Sequence, residues 1–169
     1  RTVRGNAEAG WTLVQEGLAA ARQAAVWDHC LQRLCGTGIW NRLEAGDLAS
    51  AEELAQTARE LEEERRMCTV CSLQMHPALA AYHLAAGELD TAEEYAEKAQ
   101  QIVEMSQNRA GEAQVLRVRG EIHAARGEMD EAADCLTQAA NIFSALGQRY
   151  DLEQTLRVRD ELTAGTSLA

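Results

Sequence analysis

The sequence predicts an all-α fold, an α-solenoid of stacked antiparallel helix hairpins with about eight helices. Three observations predict it. The 169 residues are rich in alanine and leucine, with one proline and 4% aromatic residues, and this composition favours helices over strands. A short glycine-containing motif recurs about every 40 residues. Between the glycines, apolar residues follow the 3.6-residue period of amphipathic helices.

The apolar spacing places each helix in turn. We predict helices near residues 7–21, 25–45, 48–64, 67–86, 89–106, 109–126, 129–146 and 149–163. Within the second helix, Gly36-Thr37-Gly38 is expected to weaken or break the helix. Within the fourth, Pro77 is expected to kink the helix or to mark the start of a separate one. The charge run from Glu62 to Arg66 is interpreted as a solvated helix end.

The repeat is clearest in residues 45–52, 86–93 and 126–133, each of which contains an apolar residue and an alanine after its glycine. Glycine ends helices because the position after the cap often needs a left-handed backbone, which costs glycine little. We predict repeat boundaries across one array covering residues 1–169, at Gly5, Gly46, Gly87, Gly127 and Gly165. The chain starts with Arg1 and out of phase with this repeat, so we expect it to be a fragment of a longer protein.

The first predicted helix has no preceding hairpin partner in this sequence. Its apolar residues are Trp11, Leu13, Val14 and Leu18. Solenoids usually carry polar caps at their ends, so an uncapped apolar face predicts a surface for self-association. A homodimer through this helix is therefore one expectation.

A hairpin repeated as G-x-[LM]-x-x-A resembles the tetratricopeptide repeat, and the resemblance covers nearly the whole chain. The structural repeat positions are Gly46, Ala51, Ala80, Gly87, Ala92, Gly120, Gly127 and Ala132, of which Ala51, Ala80, Ala92, Gly120 and Ala132 match the family's small positions. The sequence departs from the pattern at Ile39, where a small residue is usual, and lacks the family's large aromatic residue. Its period of about 40 residues, against the usual ~34, is similar to a longer variant found in bacterial regulatory proteins. The resemblance implies a right-handed superhelix and a non-catalytic module that binds a protein or peptide.

The resemblance also implies which side chains line the concave groove. The matching positions are Arg33, Trp40, Gln74, Gln114, Arg117, Glu121, Gln154 and Arg157. Glutamine amides offer donors and acceptors to an extended backbone, and arginines bind carboxylates bidentately. We therefore expect a partner segment with acidic groups. The alternative is an ordinary solvated helix face, in which Arg117 pairs with Glu121 and Arg157 with Glu161.

Charge and composition exclude several classes of protein. The net charge of −11 argues against a general nucleic-acid binder and against docking on anionic membranes. No apolar run approaches the ~20 residues of a membrane span. The odd number of cysteines, five, does not resemble a disulfide framework, so we expect a reducing cytoplasm.

The remaining chemical motifs are weak. Cys68 and Cys71 form a CxxC, and a zinc or redox site including Cys30 and Cys35 is conceivable, although packing between helices is the favoured interpretation. His76, His83 and His123 are expected to pack between helices, and His29 looks isolated. Without a nucleophile elbow, a phosphate-binding loop or an HExxH motif, we expect neither an enzyme nor a cofactor. The alternative function is a ligand-sensing or peptide-sensing region of a multidomain bacterial regulator.

Overall fold

The computed structural model describes residues 6–64 and 68–166, with side chains through residue 162. This part of the chain forms eight helices and no strand, which confirms the predicted all-α fold. The helices are α1 (Ala7–Ala21), α2 (Trp27–Glu44), α3 (Leu48–Glu63), α4 (Thr69–Ala85), α5 (Leu89–Ser106), α6 (Arg109–Ala125), α7 (Met129–Ala145) and α8 (Arg149–Thr166). Among the residues described, none of these helices combines the length and the apolarity that crossing a bilayer requires.

The chain divides into two compact units, Arg1–Ile102 and Val103–Ala169. In the first unit, α2 packs against α1, α3 and α4, and α3 also contacts α4. In the second unit, α7 packs between α6 and α8, which also touch each other. Helices thus contact both their neighbour in sequence and the next helix but one, as in a helical repeat. A single continuous superhelix over the whole chain stays a prediction.

Four of the turns between helices share one hydrogen-bonding pattern around a glycine with positive φ, at Gly46, Gly87, Gly127 and Gly147. At the second of these turns, the N–H of Gly87 donates to the carbonyl of Leu84 at 3.0 Å, and that of Glu88 donates to His83 at 2.8 Å. These two bonds define the Schellman motif, which satisfies the last carbonyls of a helix.

The turns do not fall only where the repeat predicted them. Gly147 ends α7 with a φ of 69°, although the sequence prediction overlooked it. Gly165 lies inside α8 instead of ending a helix, and Gly5 lies outside the described residues. Between α5 and α6, Gln107 takes the corresponding place with a φ of 49°. The predicted motif therefore marks only alternate turns of the chain.

Neither α2 nor α4 is divided at the expected positions. Helix α2 continues through Gly36 and Gly38, both of which are buried. A Cβ on Gly36 would lie 2.7 Å from the carbonyl oxygen of Gln74, so this glycine lets α2 and α4 approach closely. Helix α4 likewise continues through Pro77, which is buried with most of the helix around it.

Small residues fill the helix–helix contacts. The alanines at the repeat positions are almost completely buried: Ala51, Ala80, Ala92 and Ala132. Gly120 is buried against Leu136, since an added Cβ would lie 2.7 Å from its Cγ. Close-packed interiors tolerate extra methylenes poorly, so these positions keep the helices of each hairpin near one another.

Candidate functional site

The predicted groove residues of the second unit lie on α6 and α8. Gln114 of α6 donates from Nε2 to Oδ1 of Asp151 on α8 at 3.1 Å, which ties the two helices together. On α8, Arg157 is exposed and its guanidinium donates to the side-chain oxygen of Gln154. We call this surface the α6/α8 face; it consists of Gln114, Arg117, Glu121, Asp151, Gln154 and Arg157.

The two arginines of this face are in different environments. Arg117 Nε donates to Glu121 Oε1 at 3.0 Å, and these side chains are only 13% and 20% exposed. This pair is the one expected if the polar residues simply solvate the helix. Arg157 instead contacts a neutral amide and remains exposed. A carboxylate arriving from solution would therefore meet Arg157 more readily than Arg117.

The first unit places its predicted groove residues on α2 and α4. Arg33 and Gln74 are both exposed, one on each helix, close to where the two backbones meet at Gly36. Trp40 of α2 is partly buried and has at least one interaction partner. The first unit thus also presents polar side chains beside a close contact between alternate helices.

Helix α1 exposes less of its apolar face than the sequence predicted. Val14 is buried, and the Arg42 guanidinium lies over the Trp11 ring, 4.6 Å from its centroid. Arg42 also forms an ion pair of 3.1 Å with Glu8, which anchors α1 to α2. Leu13 remains about half exposed, at 49%. The homodimer through α1 stays a prediction.

A cluster of possible metal ligands joins the beginnings of α2 and α4. His29, Cys68 and Cys71 place one ligand atom each within 4.8 Å of one another. Cys71 Sγ lies 3.6 Å from His29 Nδ1. The prediction that His29 is isolated is therefore wrong, and the cluster contains this histidine in place of Cys30 and Cys35. No local spacing signals it, because His29 belongs to a different helix from the CxxC.

The thiols of this region differ in acidity. A hydrogen bond from the Cys71 backbone N–H lowers the pKa of Cys68. Burial raises the pKa of Cys71 to about 11 and that of Cys35, deeper in α2, to about 12. Cys68 is thus the more readily ionised member of the CxxC. Its backbone N–H donates to Gln32 Oε1 at 3.0 Å, which fixes the start of α4 against α2.

A second polar cluster lies between α3, α4 and α5 of the first unit. Glu62 accepts a hydrogen bond of 2.8 Å from the Tyr95 hydroxyl and contacts His76 Nε2 at 2.9 Å. Lys98 lies 3.6 Å from the same carboxylate, and His83 stacks on the Tyr95 ring with centroids 5.3 Å apart. The interpretation of Glu62 as part of a solvated end is wrong, since this carboxylate joins a partly buried network. Glu63 and Glu64 are exposed as expected, and Arg65 and Arg66 lie outside the described residues.

Comparison with known proteins supports the predicted resemblance. The family model described as tetratricopeptide repeat matches residues 70–145 of the chain. Repeats of this family generally mediate protein–protein interaction, and the family is typically non-catalytic. No curated protein matches the sequence.

Proposed function

We propose that this protein is a non-catalytic interaction module that binds an extended segment of a partner protein on the α6/α8 face. The observation that carries the proposal is the Gln114–Asp151 hydrogen bond between α6 and α8, together with the exposed Arg157 on α8. This bond links the polar side chains of two alternate helices. An extended peptide has unpaired backbone groups along its length, and amide side chains satisfy both donors and acceptors.

The exposed Arg157, rather than the net charge of the face, favours an acidic segment. Arg157 offers a guanidinium whose fork-like donors fit a carboxylate. The ion pair with Glu121 offsets the charge of Arg117, so we expect Arg117 to contribute less to binding than Arg157 does. The net charge of −11 repels acidic partners from most of the surface, which would direct an acidic segment to exposed arginines such as Arg157. Arg33 on α2 is a further exposed arginine of the same kind.

The five cysteines suit a reducing compartment, and we propose the cytoplasm. A non-catalytic role is supported by the family match over residues 70–145. A sensor within a larger regulator is the alternative. It would show saturable stabilisation by a small ligand in the absence of any peptide.

The test is selection of peptides from a random display library, followed by fluorescence anisotropy on synthetic copies of those enriched. Variants Arg157→Ala and Gln154→Ala are compared with Arg59→Ala, which removes a partly exposed arginine from α3. Because a charge-assisted hydrogen bond contributes ~1.5–3 kcal/mol, we expect Arg157→Ala to weaken binding by about 10-fold or more. Arg59→Ala should bind as wild type does.

Two results would refute the proposed surface. In the first, enriched peptides bind Arg157→Ala and Gln154→Ala as tightly as wild type, which would place the binding site elsewhere. In the second, the library yields nothing above background while a small molecule stabilises the protein. That second outcome would favour the sensor.

A further inference from the structure

We propose that His29, Cys68 and Cys71 form a binding site for a zinc ion. The ligand atoms of these three side chains already lie within 4.8 Å of one another. Thiolate sulfur and imidazole nitrogen are the donors that zinc prefers in proteins. The proposal is independent of peptide binding, because it concerns the first unit and none of the residues of the α6/α8 face.

The geometry fits a tetrahedral ion. Zinc bonds of about 2.3 Å to sulfur and about 2.1 Å to nitrogen imply a sulfur–nitrogen edge of about 3.6 Å. Cys71 Sγ and His29 Nδ1 are 3.6 Å apart. The corresponding sulfur–sulfur edge is about 3.8 Å, so the two separations that involve Cys68 need to close by ~1.2 Å at most. Rotation of the partly exposed Cys68 side chain is enough for that movement.

The surrounding structure holds the ligands in position before any ion binds. Gln32, one turn after His29 on α2, is completely buried and accepts the Cys68 backbone N–H. This bond fixes the first residue of the CxxC against the helix that carries the histidine. Asp28 accepts the backbone N–H of His29 at 3.0 Å, which supports the start of α2.

Solvent can reach the ligand cluster, and the three ligands leave one coordination position of a zinc ion open. His29 is exposed and Cys68 is half-buried, so an ion reaches the ligands from solvent. Three protein ligands leave the fourth tetrahedral position for water. Binding releases the thiol protons of Cys68 and Cys71 to solvent and changes no oxidation state. The bound ion would link the beginnings of α2 and α4 and so stabilise the first unit.

The experiment uses the reduced chain, titrated with Zn²⁺ in competition with a chromophoric chelator. Cobalt substitution provides the second readout, because tetrahedral Co²⁺ with thiolate ligands has characteristic visible and near-ultraviolet absorption. The variants are His29→Ala, Cys68→Ser and Cys71→Ser, with Cys135→Ser as a control thiol on α7. Helicity by circular dichroism establishes that each variant is folded.

We expect wild type and Cys135→Ser to bind one equivalent of zinc and to give the tetrahedral cobalt spectrum. Each ligand variant should bind about 100-fold more weakly or worse, since even outer-shell partners of zinc ligands contribute ~10- to 100-fold. Zinc should also raise the unfolding midpoint of wild type and leave that of folded His29→Ala unchanged.

Three outcomes would overturn the proposal. The first is that the reduced wild-type chain binds zinc no better than the Cys68→Ser variant. The second is that folded His29→Ala retains full affinity while Cys30→Ser loses it, which would assign the ligands differently. The third is that the reduced chain does not bind zinc and forms a Cys68–Cys71 disulfide on mild oxidation, and the pair would then be a redox couple.

Discussion

His83 Nδ1 lies 2.6 Å from Glu88 Oε2, across the turn that ends α4. The same contact recurs one repeat later between His123 and Glu128, also at 2.6 Å. In both turns the backbone N–H of the acidic residue donates to the carbonyl of the histidine. The Schellman turn thus places side chains five residues apart next to each other, and a basic residue before the glycine pairs with an acidic one after it.

The two pairs should differ in strength because they differ in burial. The side chain of His83 is 5% exposed, whereas that of His123 is 23% exposed. A hydrogen bond within a protein contributes ~0.5–1.5 kcal/mol, and we expect His83–Glu88 near the top of this range and His123–Glu128 near the bottom. Double-mutant cycles with alanine at each position, measured by urea denaturation, test this. Equal coupling energies in the two turns would contradict it.

Two glycines of the first unit should respond in opposite ways to alanine. At Gly36 a Cβ would lie 2.7 Å from a backbone oxygen of Gln74, which cannot rotate away. At Gly17 the nearest atom is the end of the flexible, partly buried Leu34 side chain, at 2.9 Å. Alanine improves helix propensity by ~1 kcal/mol at either site. Overpacking costs ~1–3 kcal/mol, and it should prevail only at Gly36.

We therefore expect Gly36→Ala to destabilise the first unit and Gly17→Ala to leave it unchanged or stabilise it by up to ~1 kcal/mol. Tryptophan fluorescence reports on this unit alone, since the three tryptophans are Trp11, Trp27 and Trp40. The midpoints of urea unfolding give the two changes. A stabilising Gly36→Ala would mean that α2 and α4 are further apart than the structure indicates.

Periodicity was enough to predict the helices but not the contacts between them. The apolar spacing gave all eight helices to within a few residues, because each helix must bury one stripe of side chains. Gly147 was missed because the repeat motif requires an apolar residue and an alanine at fixed places after the glycine. The residues after Gly147 do not match that pattern. The neighbours of His29 and Glu62 lie on other helices, and no local spacing encodes such pairings.

The turn between α5 and α6 offers a stabilising substitution. Gln107 has a φ of 49°, in the region that equivalent turns fill with glycine, such as Gly127 and Gly147. The left-handed conformation costs a residue with a Cβ ~1–2 kcal/mol, against ~0.4–1 kcal/mol for the greater freedom of unfolded glycine. Gln107→Gly should thus raise stability by about 0.5 kcal/mol, measured by circular dichroism during urea unfolding. Gly127→Gln is the reciprocal variant, and it should destabilise.

The Glu62 cluster should make the first unit sensitive to acid. Burial by itself would raise the pKa of Glu62, but hydrogen bonds from His76 and Tyr95 and the charges of His76 and Lys98 outweigh it, so this pKa is lowered from its ordinary 4.5. A carboxyl group whose pKa is lower in the folded protein than in the unfolded chain stabilises the fold. This stabilisation is complete when the pH is above the pKa of the unfolded chain, and it is lost as the pH falls through the pKa of the folded protein. Glu62→Gln should therefore be less stable than wild type at neutral pH. Its stability should also fall less between about pH 5 and about pH 3.

The control for Glu62→Gln is Glu63→Gln, which removes the neighbouring, exposed carboxylate of α3. Tyr95→Phe removes one hydrogen bond to Glu62 and should give an intermediate pH dependence, because His76 and Lys98 remain. Tryptophan fluorescence during urea unfolding at each pH measures all three variants against wild type. If Glu62→Gln and Glu63→Gln lose stability in parallel with wild type as the pH falls, the buried network does not hold Glu62 ionised, and the acid sensitivity has another origin.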